Sequence, residues 1–417
     1  VPEVVKFRDT DGDDVADTRE VVASGFGVHL AYAGHDMHGL FLGPDGRIYW
    51  SIGDKGIRVK TADGLDYRFP HQGGLMRCEP DGSNFEVFAH GQRNIQEISF
   101  DHYGNFFGVD NDADFEGEKE RLVFVEQYTD LGWRSHWQYL RGDYNPWDDD
   151  LMHVPWHEEQ PRWFTPALGN YENGPAGFKF NPGTALGPDY ENYFFLTSAP
   201  NGQQWAFRVE PEGDSFAMRD DHRIGDGIPL VGLNFSPDGA LCGVDWGGGY
   251  PMNEKGAIWR IDVAKEKQHP LREETRRLIA ADFGKEGPVG LSTLLGHADQ
   301  RVRMKAQFEL VDRGALTELE KVAGERNAPQ LARLHAIWGI GQLLRRGEAG
   351  DETLTAFFDD PDPEVRAQAI KTVTDRYGRL LGLDVIPAPT GESHALTSQL
   401  LPRLEDPSQR VRIQALL

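Results

Sequence analysis

The sequence has little cysteine, little positive charge and no long apolar run. Only Cys78 and Cys242 occur. Both sit in strand-like surroundings, Met76-Arg77-Cys78 and Leu241-Cys242-Gly243, and read as buried free thiols rather than a disulfide or a metal pair. No Cys-x-x-Cys-His motif occurs, which excludes a c-type haem in this chain. Lys and Arg number 43 against 67 Asp and Glu, for a formal charge of −24. That balance excludes nucleic acid and an anionic membrane surface as main partners. No apolar run reaches the roughly 18 residues of a transmembrane segment.

What is present is turn chemistry and enough apolar residues for cores. Glycine (48) and proline (25) imply many turns and a β-rich part. The stretch Gly34-His35-Asp36-Met37-His38-Gly39 leads into Leu40-Phe41-Leu42, a strand expected to be buried on both faces. The turn Gly43-Pro44-Asp45-Gly46 and the strand Ile48–Ile52 follow. The phrase of apolar strand, turn and apolar strand returns at 97–109, 176–197 and 232–244. Each unit adds a third strand, at 74–78, 121–125, 205–209 and 257–261, and the first adds a fourth at 85–88. Units of about four strands in roughly 50–75 residues have the size of propeller blades. Residues 1–24 supply the outer strands of a further blade. A propeller must close to leave no unpaired edge, so the expectation is a six-bladed propeller, incomplete at its N-terminus here, over residues 1–268. Val1 lies inside a sheet pattern and Leu417 inside a helical repeat, so both ends read as cut.

Between the first two strands lies an acidic loop. Counting Asp9 as position one, Asp11 and Asp13 fall at three and five, the Val15 carbonyl at seven, Asp17 at nine and Glu20 at twelve. This is the ligand spacing of an EF-hand calcium loop without its helices, with Asp14 where that loop has glycine. The plainer reading is a solvated acidic hairpin.

Residues 110–172 interrupt the blades with a long loop carrying Trp133, Trp137, Trp147, Trp156 and Trp163. Such a loop either stacks sugar rings or packs its aromatics to anchor itself. After about residue 268, helical periodicity takes over. An Arg-x-x-Ala signature recurs at Arg303/Ala306, Arg333/Ala336, Arg366/Ala369 and Arg412/Ala415, and three copies follow acidic turns. Acidic turns with Pro start helices, and the small Ala lets paired helices approach. The expectation for 269–417 is an all-α HEAT-type solenoid, truncated at the C-terminus, that binds a protein partner.

Four motifs carry a family resemblance: Gly34–Gly39 with the Gly43–Gly46 turn and Ile52-Gly53-Asp54; His90-Gly91-Gln92-Arg93-Asn94; Asp110-Asn111-Asp112 with Leu131-Gly132-Trp133-Arg134; and Asp245-Trp246-Gly247-Gly248-Gly249. They resemble the pyrroloquinoline-quinone (PQQ) dependent soluble glucose and sorbosone dehydrogenases. The whole chain resembles large bacterial membrane-bound dehydrogenases that join such a propeller to HEAT repeats and often to a cytochrome c domain. The resemblance implies a periplasmic or otherwise extracytoplasmic quinoprotein that oxidises a sugar hydroxyl or aldehyde with PQQ and Ca2+. It implies His35 as the base, eight residues before Gly43, with His38 as the alternative. It implies cofactor contacts at Arg93, Asn94 and Trp133, and calcium ligands among Asp110, Asn111, Asp112 and Glu120. Electrons then leave to an acceptor outside this chain, such as a cytochrome c domain. Three positions depart from the family pattern: Gly34 replaces an acidic residue, Leu131 replaces an aromatic, and no cation stands within Phe195–Phe207. The alternatives are a non-catalytic carbohydrate- or protein-binding scaffold and a calcium-dependent lactonase-type hydrolase.

Overall fold

The structure is a computed structural model. It describes residues 3–26, 34–61, 64–111, 115–140, 142–171, 174–213, 215–247, 254–375 and 396–417.

Strands β1 (Glu3–Arg8) and β2 (Thr18–Ser24) pair antiparallel across the acidic loop. The first four-stranded sheet has the order β3 (Met37–Leu42), β4 (Ile48–Ile52), β7 (Gly73–Cys78), β8 (Glu86–Gln92), with a hairpin of β5 (Ile57–Lys60) and β6 (Asp66–Phe69) inserted. The second holds β9 (Ile95–Phe100), β10 (Phe106–Asp110), β11 (Glu120–Val125) and β12 (Gly169–Tyr171). The third holds β13 (Pro175–Phe180), β14 (Tyr193–Ser198), β15 (Gln203–Glu212) and β16 (Ser215–Gly225). The fourth holds β17 (Leu230–Phe235), β18 (Leu241–Asp245) and β19 (Ala257–Ile261). Successive sheets pack face to face: β9 lies on β3 and β4, β13 on β9, and β17 on β13 and β14. The β1–β2 pair packs on the first sheet through Val4 and Phe26, whose ring meets Trp50 edge-on at 5.4 Å.

Three details differ from the sequence reading. Leu40 and Leu42 are 62% and 43% exposed, because β3 is the edge of its sheet and only Phe41 turns inward, against Phe100. The long loop delivers β12 at its end, as the outer strand of the second sheet. Cys78 is buried, as expected, but Cys242 is only half-buried; both are free.

One short helix, α1 (Pro146–Asp149), lies in the long loop. The C-terminal part contains α2 (Arg272–Ala280), α3 (Pro288–Leu294), α4 (Gln300–Asp312), α5 (Leu316–Gly324), α6 (Gln330–Arg345), α7 (Glu352–Thr355), α8 (Pro363–Thr374), α9 (Thr397–Leu400) and α10 (Gln409–Leu416). Helices α4, α6, α8 and α10 pack side by side in chain order. The recurring arginine has a physical task there. Arg303, Arg366 and Arg412 each reach back with Nη1 to the carbonyl of the preceding acidic turn, at 2.7 Å from His297, Asp360 and Asp406. This satisfies carbonyls at the helix entry that lie outside the helical ladder. Ala306, Ala336 and Ala369 are fully buried between helices.

The helices dock on one end of the four larger sheets, where the first turn of each lies. Gln307 donates to the Pro44 carbonyl at 2.8 Å, Gln300 to Asp101 at 2.8 Å, Gln368 to Tyr103 at 2.9 Å, Arg301 to Ser236 at 2.8 Å and Arg272 to Asp238 at 2.6 Å. Gly46, at φ +82°, lies so close to α6 that a Cβ there would come within 2.4 Å of Gln342 Oε1. In these antiparallel sheets the alternate connections, after β4, between β8 and β9 and between β10 and β11, therefore lie at the opposite end.

Candidate active site

That opposite end gathers His35 from before β3, Asp54 from after β4, and Arg93-Asn94 from between β8 and β9. Gly53 makes the first approach possible, since a Cβ there would stand 2.9 Å from both Cβ and O of His35. His35 Nδ1 and Asp54 Oδ1 lie 2.8 Å apart, with side-chain exposures of 14% and 11%. The other oxygen, Asp54 Oδ2, accepts from Trp133 Nε1 at 3.1 Å, and the Asp54 N–H donates to the Arg93 carbonyl at 2.8 Å. A carboxylate beside Nδ1 selects the tautomer with the proton on Nδ1 and the lone pair on Nε2. Neighbouring Lys55 pairs with Asp36 across the same loop.

Arg93 and Asn94 are held from beneath. Both backbone N–H groups donate to Asp110, at 3.1 and 2.7 Å, and Arg121 Nη2 joins them at 2.8 Å. Asp110 and Arg121 are fully buried, and the Arg121 guanidinium lies 4.5 Å from the Trp147 ring centre. Arg93 Nη1 donates to both the carbonyl and Oδ1 of Asn111, at 2.7 and 2.8 Å. Its guanidinium carbon is 6.0 Å from the Trp133 ring. Asn94 Oδ1 is buried without a hydrogen-bond partner among the described residues.

Other expected site residues fall elsewhere. His38 lies in β3 with Nε2 2.7 Å from the Gly34 carbonyl; burial lowers its pKa, and it closes the loop rather than joining Asp54. Trp133 is fully buried, edge-on to Trp147 at 5.0 Å and packed with Met152 and Phe164. It reaches the site through its N–H, not through an open ring face. Asp110 is a scaffold group whose two oxygens already accept three donors, and Asn111 steers Arg93. Glu120 accepts from the Gly174 N–H at 2.9 Å and lines a cleft of about 570 Å³ with Glu118, Asn170 and Trp205. Asp112 lies outside the described residues.

Among the described residues, Asp9, Asp11 and Asp17 are the group of acidic side chains whose ligand atoms lie within 4.8 Å of one another. Asp9 accepts from Gly12 N–H at 2.7 Å, which lowers its pKa, and Asp17 is lowered by the Thr10 hydroxyl and N–H. Asp13 instead accepts from Val15 N–H at 2.8 Å, and Glu20 sits in β2 opposite Lys6. In an EF-hand the twelfth position closes on the ion; here the β1–β2 ladder holds that residue in a strand.

The sequence reading quoted Asp54 within a motif but gave it no role. Its signal was a Gly-Asp directly after a strand at the same sheet end as His35. Arg121 carried no local signal, because its partners, Asp110 opposite it on β10 and the Leu131 carbonyl, meet it only once β10 and β11 have paired.

The chain was compared with known proteins. Residues 1–223 match the model of a family described as a domain of unknown function, DUF7133. No curated protein matches. Among solved structures, similar ones include an oxidoreductase (glucose dehydrogenase) from Thermus thermophilus, at 18% identity over 62% of this chain and 74% of that one, TM-score 0.44. The PQQ-bound form of an aldose sugar dehydrogenase from Streptomyces coelicolor is 16% identical over 59% and 66% of the chains, TM-score 0.40. The apo form of the soluble aldose sugar dehydrogenase from Escherichia coli is 14% identical over 59% and 69%, TM-score 0.41. With more than half of its length matched by the family model, the chain belongs to the DUF7133 family.

Proposed function

We propose that the chain is the sugar-oxidising part of a quinoprotein, with His35 as general base. The observation that carries this reading is the His35–Asp54 pair, fixed by Trp133 and set beside Arg93, from four separate stretches of sequence. The motif resemblance supplies the substrate class, a sugar hydroxyl or aldehyde.

The residues fit the implied cofactor in kind. Arg93 offers a cation to an anionic quinone, and the buried, unpartnered Asn94 Oδ1 offers a hard oxygen to a cation such as Ca2+. When bound, PQQ supplies a two-electron acceptor for the substrate's hydride. The protein's own part is proton handling: His35 Nε2 takes the proton of the substrate hydroxyl while Asp54 stabilises the imidazolium that forms. Arg93 stabilises negative charge developing on oxygen, and Asp110 with Arg121 fixes the turn that aims it. The Asp9–Asp17 loop is a second, structural Ca2+ site tying β1 to β2. The domains are 1–268, as a propeller of the six-bladed type, and 269–417, as a HEAT-type solenoid that spends one side on the propeller and offers the rest to a protein partner. The electron acceptor is external, and the setting is extracytoplasmic.

The test is reconstitution of the full chain with PQQ and Ca2+, followed by dye reduction across aldoses. Sugar-dependent reduction is expected, and His35→Ala lowers it about 10²–10⁴-fold. Absence of both quinone binding and sugar-dependent reduction overturns the reading.

A further inference from the structure

The long loop between β11 and β12 divides its tryptophans into two sets. Trp133, Trp137 and Trp147 are buried in a small core with Met152 and Phe164. They are spent on packing. Trp156 and Trp163 are 58% and 51% exposed. Both line one cleft of about 890 Å³, walled by the loop, the end of β11, the β15–β16 hairpin and α10. The His35 site contributes none of the residues lining it.

The cleft is built by backbone as well as side chains. A parallel bridge between Pro155 and Ala167 holds together the two arms that carry the tryptophans. Trp163 is fixed on one side by the Arg134 guanidinium, 5.3 Å from its ring centre, and edge-on by Phe164 at 5.4 Å. Arg134 is itself clamped by Asp130 at 2.7 and 3.1 Å. The same cleft is lined by Thr129, Thr165 and Glu212.

We infer that this cleft is a carbohydrate-binding site, separate from the His35 site, that holds an oligosaccharide or polysaccharide chain. A sugar ring has an apolar C–H face and a hydroxylated rim. The negative π-face of an indole attracts those C–H groups, and large aromatics bury much area at small entropic cost. Exposed indoles flanked by hydroxyls and carboxylates match both parts of such a ring. A wide cleft that is open to solvent and lined by both apolar and polar groups suits a chain better than a compact apolar ligand, which takes an enclosed pocket.

Affinity electrophoresis of the full chain in gels containing soluble β-1,3-glucan, xylan or hydroxyethylcellulose tests the assignment. Retardation is expected in at least one gel. Trp156→Ala/Trp163→Ala weakens it about tenfold or more, Trp163→Tyr keeps most of it, and His35→Ala leaves it unchanged. Quenching of tryptophan fluorescence by short oligomers of the retarding glycan reports the same binding in solution. No retardation in any gel, or equal retardation of the double variant at an unchanged thermal midpoint, overturns the inference. Loss of retardation in His35→Ala overturns its separateness.

Discussion

The two ends of the β-sheets are built to different rules. At the turn end, charge is buried and matched. Arg47 and Arg77 are almost wholly buried beside Glu79, Glu86 and Asp45, and the helical part contributes Asp375 and Arg345. Arg77 alone bonds Glu86 at 2.6 Å, the Tyr49 hydroxyl at 3.1 Å and Asp375. The two guanidiniums hold the Asp375 carboxyl well below its usual range, against burial. At the loop end, the His35–Asp54 pair is partly open, and its supports are single hydrogen bonds. One end is spent on holding the two parts together; the other keeps titratable groups within reach of solvent.

Among single substitutions, breaking the turn end gives the largest effect. Asp375→Ala takes a shared carboxylate from two buried guanidiniums, which keep only Glu79 and Glu86 as ion partners close by, and costs about 3 kcal/mol, read as a lowered urea midpoint. If the midpoint stays put, the network is not structural. Next comes acid. Arg303 donates to His102 at 2.9 Å and to His335 at 3.0 Å, so both imidazoles must be neutral. Burial lowers His102 to about 3 and His335 well below 6.5. Unfolded, both take protons near 6.5. Their contribution is complete above pH 6.5 and is lost as the pH falls toward 3, at about 1.4 kcal/mol per pKa unit of difference. Denaturation from pH 7 to pH 4 shows this slope, and His102→Gln flattens it.

Trp133→Phe compares the ends directly. It removes the N–H to Asp54 and little volume. Activity of the reconstituted chain falls about tenfold, as expected for one lost hydrogen bond to a charged group, with a smaller change in thermal midpoint. An equal loss of both quantities means that Trp133 only packs. The smallest effect belongs to the acidic loop, which lies outside both ends. Calcium slows trypsin cleavage at Arg8 and Arg19, which flank it, and Asp9→Asn abolishes that protection; indifference to calcium leaves a solvated hairpin.

Much of the fold was legible. The strand–turn–strand phrases around Gly43–Gly46 and Ser236–Gly239 form strands because their residue types and turns act within a few positions. The Arg-x-x-Ala signature marked real helices for the same reason, and in three of its four copies the arginine bonds the preceding turn. The exposure of Leu40 was not legible, since it depends on β3 being an edge. Of the site, His35 and Arg93 were readable by motif. Trp133 was read as a cofactor contact; its ring is buried and its N–H donates to Asp54, which no local pattern reveals.

Local chemistry in the sequence determined where strands turn, where helices start, and that the chain is acidic and holds no apolar run long enough to cross a bilayer. Which groups meet was decided by the tertiary structure. Asp54 and Trp133 are 79 residues apart, and Arg77 and Asp375 are 298 apart. No local preference specifies such pairs, because their geometry exists only after the sheets have stacked and the helices have docked.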